Sequence, residues 1–545
     1  MTAAAESLTG LFAASLSAHA DRPAFTDDGG GTLTYADVAA RVARLHALFH
    51  ALHVRKGDKV ALLGRNSSAW ATVYVAALTY GAAVVPILPD FKREDVQHIV
   101  RHSDAVLLFV QGALASGLEY DRMPELSAAL SLETFRVLFA VRDRAARAAE
   151  AALAAPAGAP EIEEIPLRET AAIVYTSGTT GFSKGVVLPH ESLFVNIRFA
   201  KRHMPLVPGE TIVSFLPLAH AFGCAFEFLF PFASGCHITF VNQLPAPAVL
   251  LAVFARVRPR LILSVPLVLE KIYRKKIRPL LDRPVPRLLL RVPILRRRLG
   301  ARVKATLSKA FGGNFREIIV GGAALSPDVE AFLMEIGFPL TVGYGMTECG
   351  PLISYAPWTE HRAGTVGRII DALEARIDSP DPRMIPGELL IRGPSLFCGY
   401  YRNPEATREA VDADGWLRTG DLGTLDAAGF LTLKGRCKTM LLSASGQNVF
   451  PEEIEARLNA LPYVGESLVL DKAGRLVALV YPDLERVDSG RVSEADLVRK
   501  MEENRRTLNA SLPPYAGVSR IDLWPEEFVK TPTRKIKRFL YSQPA

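Results

Sequence analysis

The chain has 545 residues, of which 49% are hydrophobic and 22% charged, with a formal net charge of +7. That length exceeds what one hydrophobic core usually serves, and the composition excludes a disordered or collagen-like polymer. No apolar run reaches the roughly 18 residues of a spanning helix, and five scattered cysteines without a C-x-x-C pair argue against a zinc site or disulfide framework and for a reducing cytoplasm.

The segment from Leu8 to Ala20 is apolar, but no Lys or Arg precedes it and Glu6 lies in its approach. An amphipathic first helix is therefore expected rather than a signal peptide. Tyr35 to Leu52 has helical apolar spacing, and Lys59 to Leu63 reads as a strand after a Gly57-Asp58 turn. Ala69 to Tyr80 reads as a helix and Ala82 to Ile87 as a strand. Such alternation predicts a parallel sheet with helices on its faces. Ala145 to Pro160 is rich in Ala and Pro, a helix end followed by a surface connection.

The apolar run Ala171–Tyr175 suits a buried strand. It breaks into Thr176-Ser177-Gly178-Thr179-Thr180-Gly181-Phe182-Ser183-Lys184-Gly185. Glycines there allow main-chain N–H groups to approach an anion, the hydroxyls donate, and Lys184 brings a mobile positive charge. This is equipment for a polyphosphate, although the spacing is not that of the G-x-x-x-x-G-K-[ST] loop. A Gly/Ser/Thr-rich surface loop is the plainer alternative.

Further along, His220 stands between apolar residues in Leu216–Gly223 and, taken alone, reads as a core histidine. Phe222, Phe226, Phe228, Leu229, Phe230 and Phe232 gather around Gly223, as an apolar pocket or as plain sheet packing. Between Lys271 and Ala310 fourteen Lys/Arg face one acid, Asp282, a local charge of +13, so the rest of the chain is net acidic. This stretch also carries Leu288, Leu289, Leu290, Val292, Ile294 and Leu295, a mixture suited to an anionic membrane surface, with a solvated basic helix pair as the alternative. No nucleic-acid recognition motif accompanies it. Gly321-Gly322-Ala323-Ala324-Leu325 follows the strand Ile318 to Val320, as a ligand loop at a strand's carboxyl end would. Gly343-Tyr344-Gly345-Met346-Thr347-Glu348 offers an aromatic face, a hydroxyl and a carboxylate able to hold Mg²⁺. From about 365 to 435 frequent glycines predict a β-rich subdomain containing Thr419-Gly420-Asp421. Arg436 and Lys438 follow, Pro451 with Glu452 and Glu453 opens a helix, and Lys535 ends a turn near the terminus, where Lys537 and Arg538 beside it also fit an exposed tail.

In this order and spacing these motifs resemble the adenylate-forming superfamily of acyl-CoA synthetases, nonribosomal adenylation domains and firefly luciferase, over essentially the whole chain. Val265-Pro-Leu-Val-Leu-Glu-Lys-Ile-Tyr273 and Ser445-Gly-Gln-Asn-Val-Phe-Pro-Glu-Glu-Ile-Glu455 look most like bacterial long-chain fatty acid–CoA ligases. The resemblance implies an α/β fold. Residues 1–435 would form a large N-terminal adenylation domain of stacked αβαβα sheets plus the β-rich subdomain, and 436–545 a small mobile α+β C-terminal lid hinged near Lys438.

It also implies ATP, Mg²⁺ and coenzyme A as cofactors and co-substrate, a fatty acid as substrate, and an acyl-adenylate between two half-reactions. Thr176, Ser177, Gly178, Thr179, Thr180 and Lys184 would hold the β- and γ-phosphates. Tyr344 would stack on adenine beside Gly322, Ala323 and Ala324, Asp421 and Arg436 would grip the ribose, Thr347 would meet the α-phosphate, and Glu348 would carry Mg²⁺. Lys535 would bridge the carboxylate and α-phosphate, His220 would position or gate the acyl group, and Ser445 and Gly446 would lie on the pantetheine path. The family's usual proline before the loop lysine is Ser183 here, and its glycine before the catalytic lysine is Arg534. Two alternatives stay open: an acyl-AMP ligase serving an acyl carrier protein, and a non-catalytic nucleotide or lipid binder. A cytoplasmic location is expected, with peripheral contact at the inner face of the membrane through 271–310.

Overall fold

The computed structural model describes residues 6–155, 158–176, 184–243, 246–273, 277, 293–442, 447–472, 474–490, 492–531 and 535–541. Two large sheets dominate the N-terminal part. The first has eight strands, and its parallel centre is Lys59–Leu63, Ala83–Ile87, Ala105–Val110, Ala128–Ser131 and Thr170–Thr176. Those strands are almost wholly apolar and buried, as strands covered on both faces must be.

The second sheet has seven strands. Four of them, His237–Phe240, Thr211–Ser214, Leu261–Ser264 and Glu317–Val320, run parallel and are joined at one side by Leu340–Val342. Between the sheets lies the helix Ser68–Tyr80, buried on nearly every side and touching strands of both. A helix apolar all round has no solvent face to offer and is stable only in such a middle layer. The helix Tyr35–Ala51 begins with a reciprocal cap, Thr34 to the Asp37 N–H and Asp37 back to the Thr34 N–H. The first helix runs Leu8–Ala18 and buries Leu8, Phe12, Ser15 and Leu16 on one face.

Two features go beyond the sequence reading. Thr170–Thr176 is followed by Lys184–Pro189, its antiparallel partner, with Thr176 opposite Lys184. The glycine-rich connection therefore joins strand to strand. The aromatic cluster also divides. Phe228 packs on Phe25, Trp70 and Tyr74, and Phe232 on Phe12, Phe25 and Tyr35, so with Leu229 and Phe230 they are fully buried core. Phe222 and Phe226 alone of that group line the cleft described below. Phe226, Phe228 and Leu229 share one π-helical turn, Cys224–Leu229.

A four-stranded antiparallel sheet, Glu374–Asp378, Gly387–Arg392, Leu417–Leu425 and Leu431–Arg436, forms the β-rich region. A smaller α+β part follows: helices Pro451–Asn459 and Glu494–Ala510 on the sheet Val464–Lys472, Arg475–Pro482 and Arg520–Leu523. Its strands alternate faces, with Val469, Ala478 and Val480 toward the helices and Leu468, Leu470, Val477 and Leu479 toward Phe528. All five cysteines are free, and no described helix is long and apolar enough to cross a membrane.

Candidate active site

The parallel strands of the seven-stranded sheet end at one edge, and the residues after them, Phe215, Val265, Gly321 and Gly343, all line a single cleft of about 3420 Å³. A pocket for one small molecule is usually about 300–1,000 Å³, so there is room for more than one substrate. The smaller C-terminal part closes one side with Lys535 and Arg457.

Thr176, Lys184, His220, Gly322, Ala323, Ala324, Tyr344, Thr347, Glu348, Asp421, Arg436, Lys438 and Lys535 all reach this cleft. Ser177, Gly178, Thr179, Thr180 and Ser183 lie outside the described residues, as do Ser445, Gly446 and Arg534. So do 274–276 and 278–292 of the basic stretch, including Leu288, Leu289, Leu290 and Val292. Its described end is the helix Pro293–Ala310, where Arg296 pairs with Glu335 through two hydrogen bonds of 2.5 and 2.6 Å.

Local geometry explains how each group is presented. Gly322 has φ +84°, a left-handed conformation that exposes the Gly322–Ala324 backbone. A Cβ on Gly345 would fall 2.1 Å from the Pro351 carbonyl oxygen, so only glycine lets Tyr344 turn into the cleft there. Asp421 and Arg436 are cross-strand partners. The Arg436 Nε donates to Asp421 Oδ1 at 2.8 Å, and the Tyr344 hydroxyl donates to Asp421 Oδ2 at 2.5 Å. Burial, and then the Asp421 charge beside it, push the Tyr344 hydroxyl well above its ordinary value.

Glu348 and Thr347 are buried on a short 3-10 turn. Among the described residues no group of three or more His, Cys, Asp or Glu could hold a metal unaided. One carboxylate beside one hydroxyl fits an ion that keeps phosphate oxygens and waters as most of its ligands, as Mg²⁺ does.

His220 accepts a long hydrogen bond, 3.4 Å, from the Phe222 N–H at Nδ1, which leaves the proton of its neutral ring on Nε2. Burial and the nearby Lys535 charge lower it to about 4, so the ring is neutral at physiological pH. Its loop is clamped from both sides. Asn66 donates to the Leu216 carbonyl at 2.7 Å and accepts from the Leu218 N–H at 3.0 Å. The fully buried Glu227 accepts both the Phe215 and Leu216 N–H groups at 2.9 Å, and burial lifts its carboxyl well above the usual range. Because the oxygen rather than the charge holds the loop, Glu227→Gln is expected to melt near the wild type. Glu227→Ala strands two buried N–H groups and is expected to lose about 3 kcal/mol. Thermal melts of both variants check this, and a glutamine variant as unstable as alanine would assign the clamp to the charge.

Lys535 is still reached by cleft solvent although protein surrounds it. Burial and Arg436 lower its pKa, opposed by Asp421 and Glu348. Its loop is tied by the Thr531 N–H to the Lys535 carbonyl, 2.8 Å, and by the Lys535 N–H to Thr531 Oγ1, 3.2 Å. Three residues on, Arg538 makes a bidentate pair with Glu455 at 2.8 and 2.7 Å and donates to the Val469 carbonyl. Two residues missed from sequence stand out here. Arg538 read as tail charge, yet it is anchored across 83 positions. Tyr400 went unremarked, yet its hydroxyl donates to Glu348 at 2.8 Å and its ring lies 4.6 Å from the Lys184 ammonium. The Gly399-Tyr400-Tyr401 run was the one available signal, and it is a weak one.

Comparison with known proteins follows the same lines. The AMP-binding enzyme family matches residues 12–401. The long-chain-fatty-acid–CoA ligase FadD15 of Mycobacterium bovis is 29% identical over 556 residues, covering 93% of this chain and 90% of the relative. Its Mycobacterium tuberculosis counterpart matches at the same identity and coverage. Among solved structures, ATP-bound MatB from Rhodopseudomonas palustris aligns with a TM-score of 0.78 at 23% identity, covering 98% of both chains. The O-succinylbenzoate coenzyme A synthetase MenE of Bacillus subtilis, in complex with AMP, aligns at 0.76 and 20%, again over 98% of each. At these identities the structures speak for the fold, a mixed α/β architecture with a large N-terminal and a smaller C-terminal part.

Proposed function

Because this chain belongs to the AMP-binding enzyme family, we propose that it is an AMP-forming acid–thiol ligase that activates a long-chain fatty acid with ATP and passes the acyl group to coenzyme A. The observation that carries the reading is one cleft in which three cations, Lys184, Arg436 and Lys535, two carboxylates, Glu348 and Asp421, and an apolar wall with Phe222 and Phe226 converge. A carboxylate lacks a leaving group, and bringing it to a triphosphate sets anion against anion. Fixed cations and donors at that point supply the stabilisation.

In the first half-reaction a carboxylate oxygen attacks the α-phosphorus, the bond to pyrophosphate breaks, and an acyl-adenylate forms. Lys535 neutralises the charge gathering between carboxylate and α-phosphate, with Thr347 donating beside it. Thr176 and Lys184, with the loop residues Ser177, Gly178, Thr179 and Thr180, hold the β- and γ-phosphates. Tyr344 and the Gly322–Ala324 backbone take the adenine, Asp421 and Arg436 the ribose. Bound at Glu348, Mg²⁺ would shield phosphate charge. In the second half-reaction the thiol sulfur attacks the acyl carbon, loses its proton, and AMP leaves.

The second step needs the lysine out and a thiol in. We assign the boundary between a 1–435 adenylation domain and a 436–545 lid to a hinge at Lys438, with Ser445 and Gly446 on the thiol's path. A contact that a swing would break is Lys434 to Glu453 at 3.1 Å. The neutral His220 would position or gate the acyl chain. The apolar wall favours an uncharged chain, and the relatives named long-chain-fatty-acid–CoA ligases support that choice.

Pyrophosphate exchange with Mg·ATP and a panel of saturated acids and short dicarboxylates tests this. Exchange is expected with the long monocarboxylates, and an enzyme preferring dicarboxylates, or silent with every acid, would end the reading. The basic stretch 271–310 favours two further assignments. As a contact with anionic membrane it predicts flotation with anionic liposomes in low salt and release in high salt. As a surface for an acidic acyl carrier protein it predicts faster single-turnover transfer to holo-carrier than to coenzyme A.

A further inference from the structure

We propose that Tyr400 is a positioning residue, a neutral spacer that holds Lys184 and Glu348 apart so that a metal-bound triphosphate can enter between them. This rests on the ATP-dependent reading of the cleft. The placement follows from the backbone. The short strand Gly399–Tyr400 pairs antiparallel with Lys184–Pro189, with Tyr400 opposite Val186, and the Tyr401 N–H donates to the Gly185 carbonyl at 2.7 Å. The ring therefore sits beside the lysine that leaves the glycine-rich connection.

Three contacts fix it. The Lys184 ammonium is 4.6 Å from its centroid, the hydroxyl reaches Glu348 Oε1 at 2.8 Å, and the Phe397 ring packs on it edgewise at 5.0 Å. The Phe397 N–H also donates to the Glu348 carbonyl at 2.8 Å, so the same corner carries both the ring and the carboxylate.

The chemistry of the spacer is specific. Lys184 and Glu348 in direct contact would neutralise each other and offer nothing to a phosphate or a metal. Among the described residues neither makes an ion pair. An aromatic face attracts an ammonium without consuming its charge, and a phenol donor orients a carboxylate while leaving its second oxygen to bind. Tyr400 does both at once, with the face and the hydroxyl of one rigid ring.

The test uses full-length protein, binding of the fluorescent nucleotide mant-ATP, and two variants. In Tyr400→Phe the ring still packs and still faces Lys184, but Glu348 loses its donor. The half-saturating Mg²⁺ concentration for mant-ATP binding is expected to rise about ten-fold, while metal-free mant-ATP affinity stays at the wild-type value. In Tyr400→Leu the metal-free affinity is also expected to fall, by about five-fold, as Lys184 closes on Glu348. A Tyr400→Phe protein with the wild-type Mg²⁺ requirement overturns the proposal, whether or not the leucine variant folds. Wild-type protein that binds no mant-ATP overturns the nucleotide reading itself, a separate result read before any variant is made.

Discussion

Lys535→Ala is expected to slow pyrophosphate exchange by roughly 10²–10³-fold, the usual effect of removing one donor aimed at charge that develops in the transition state. Thioester formation from supplied acyl-adenylate should stay close to wild type, because the lysine has no role once the anhydride exists. The pH profile gives a second signature. Burial and the neighbouring Arg436 lower the Lys535 pKa, and on the proposed mechanism the protonated form is the active one. Activity of the wild type should therefore decline as pH rises, at values below the ordinary lysine pKa of about 10.4. The residual activity of Lys535→Ala should lack that alkaline limb. His220, held neutral down to about 4, should add no acid limb near its ordinary value. Equal loss in both half-reactions would show that Lys535 acts on folding or on nucleotide binding instead.

The second large effect should come from the hinge. Lys438→Pro restricts φ at one position to about −65° and so narrows the paths by which the C-terminal part can turn. Pyrophosphate exchange is expected to survive, whereas transfer of the acyl group to thiol should drop by at least about a hundred-fold, since on the proposed mechanism that step depends on the conformational change. Rapid-quench assays of each half-reaction separate the two. A variant impaired equally in both, or in neither, would move the pivot elsewhere.

Much of the framework was legible because local signals and tertiary demands agreed. Lys59–Leu63 could be placed to the residue, since β-branched and apolar residues after a Gly-Asp turn suit only a buried strand. Tyr344, Glu348 and Asp421 could be singled out because each stands in a short motif of unusual composition, and the structure brings them to the same cleft.

What stayed hidden depends on partners distant in sequence. Nothing near Glu455 announces Arg538, and nothing near Tyr400 announces Glu348, because a hydrogen bond between remote residues leaves no periodicity. The phenylalanine cluster misled for another reason. Its composition is uniform, and only packing against residues distant in sequence, such as Phe25 and Trp70, decides which rings are core and which face the cleft.

The staple between Arg538 and Glu455 has a mechanical consequence. With both guanidinium nitrogens engaged on a carboxylate inside the smaller part, and a third bond to the Val469 carbonyl, the nearby ammonium of Lys535 cannot be reeled out by fraying of the last few residues. In the proposed swing it would travel only as cargo on the whole body, so the positive charge would be either fully delivered or fully removed. A tether of this kind turns a gradual local motion into a discrete one, like a key that leaves the lock only with its ring.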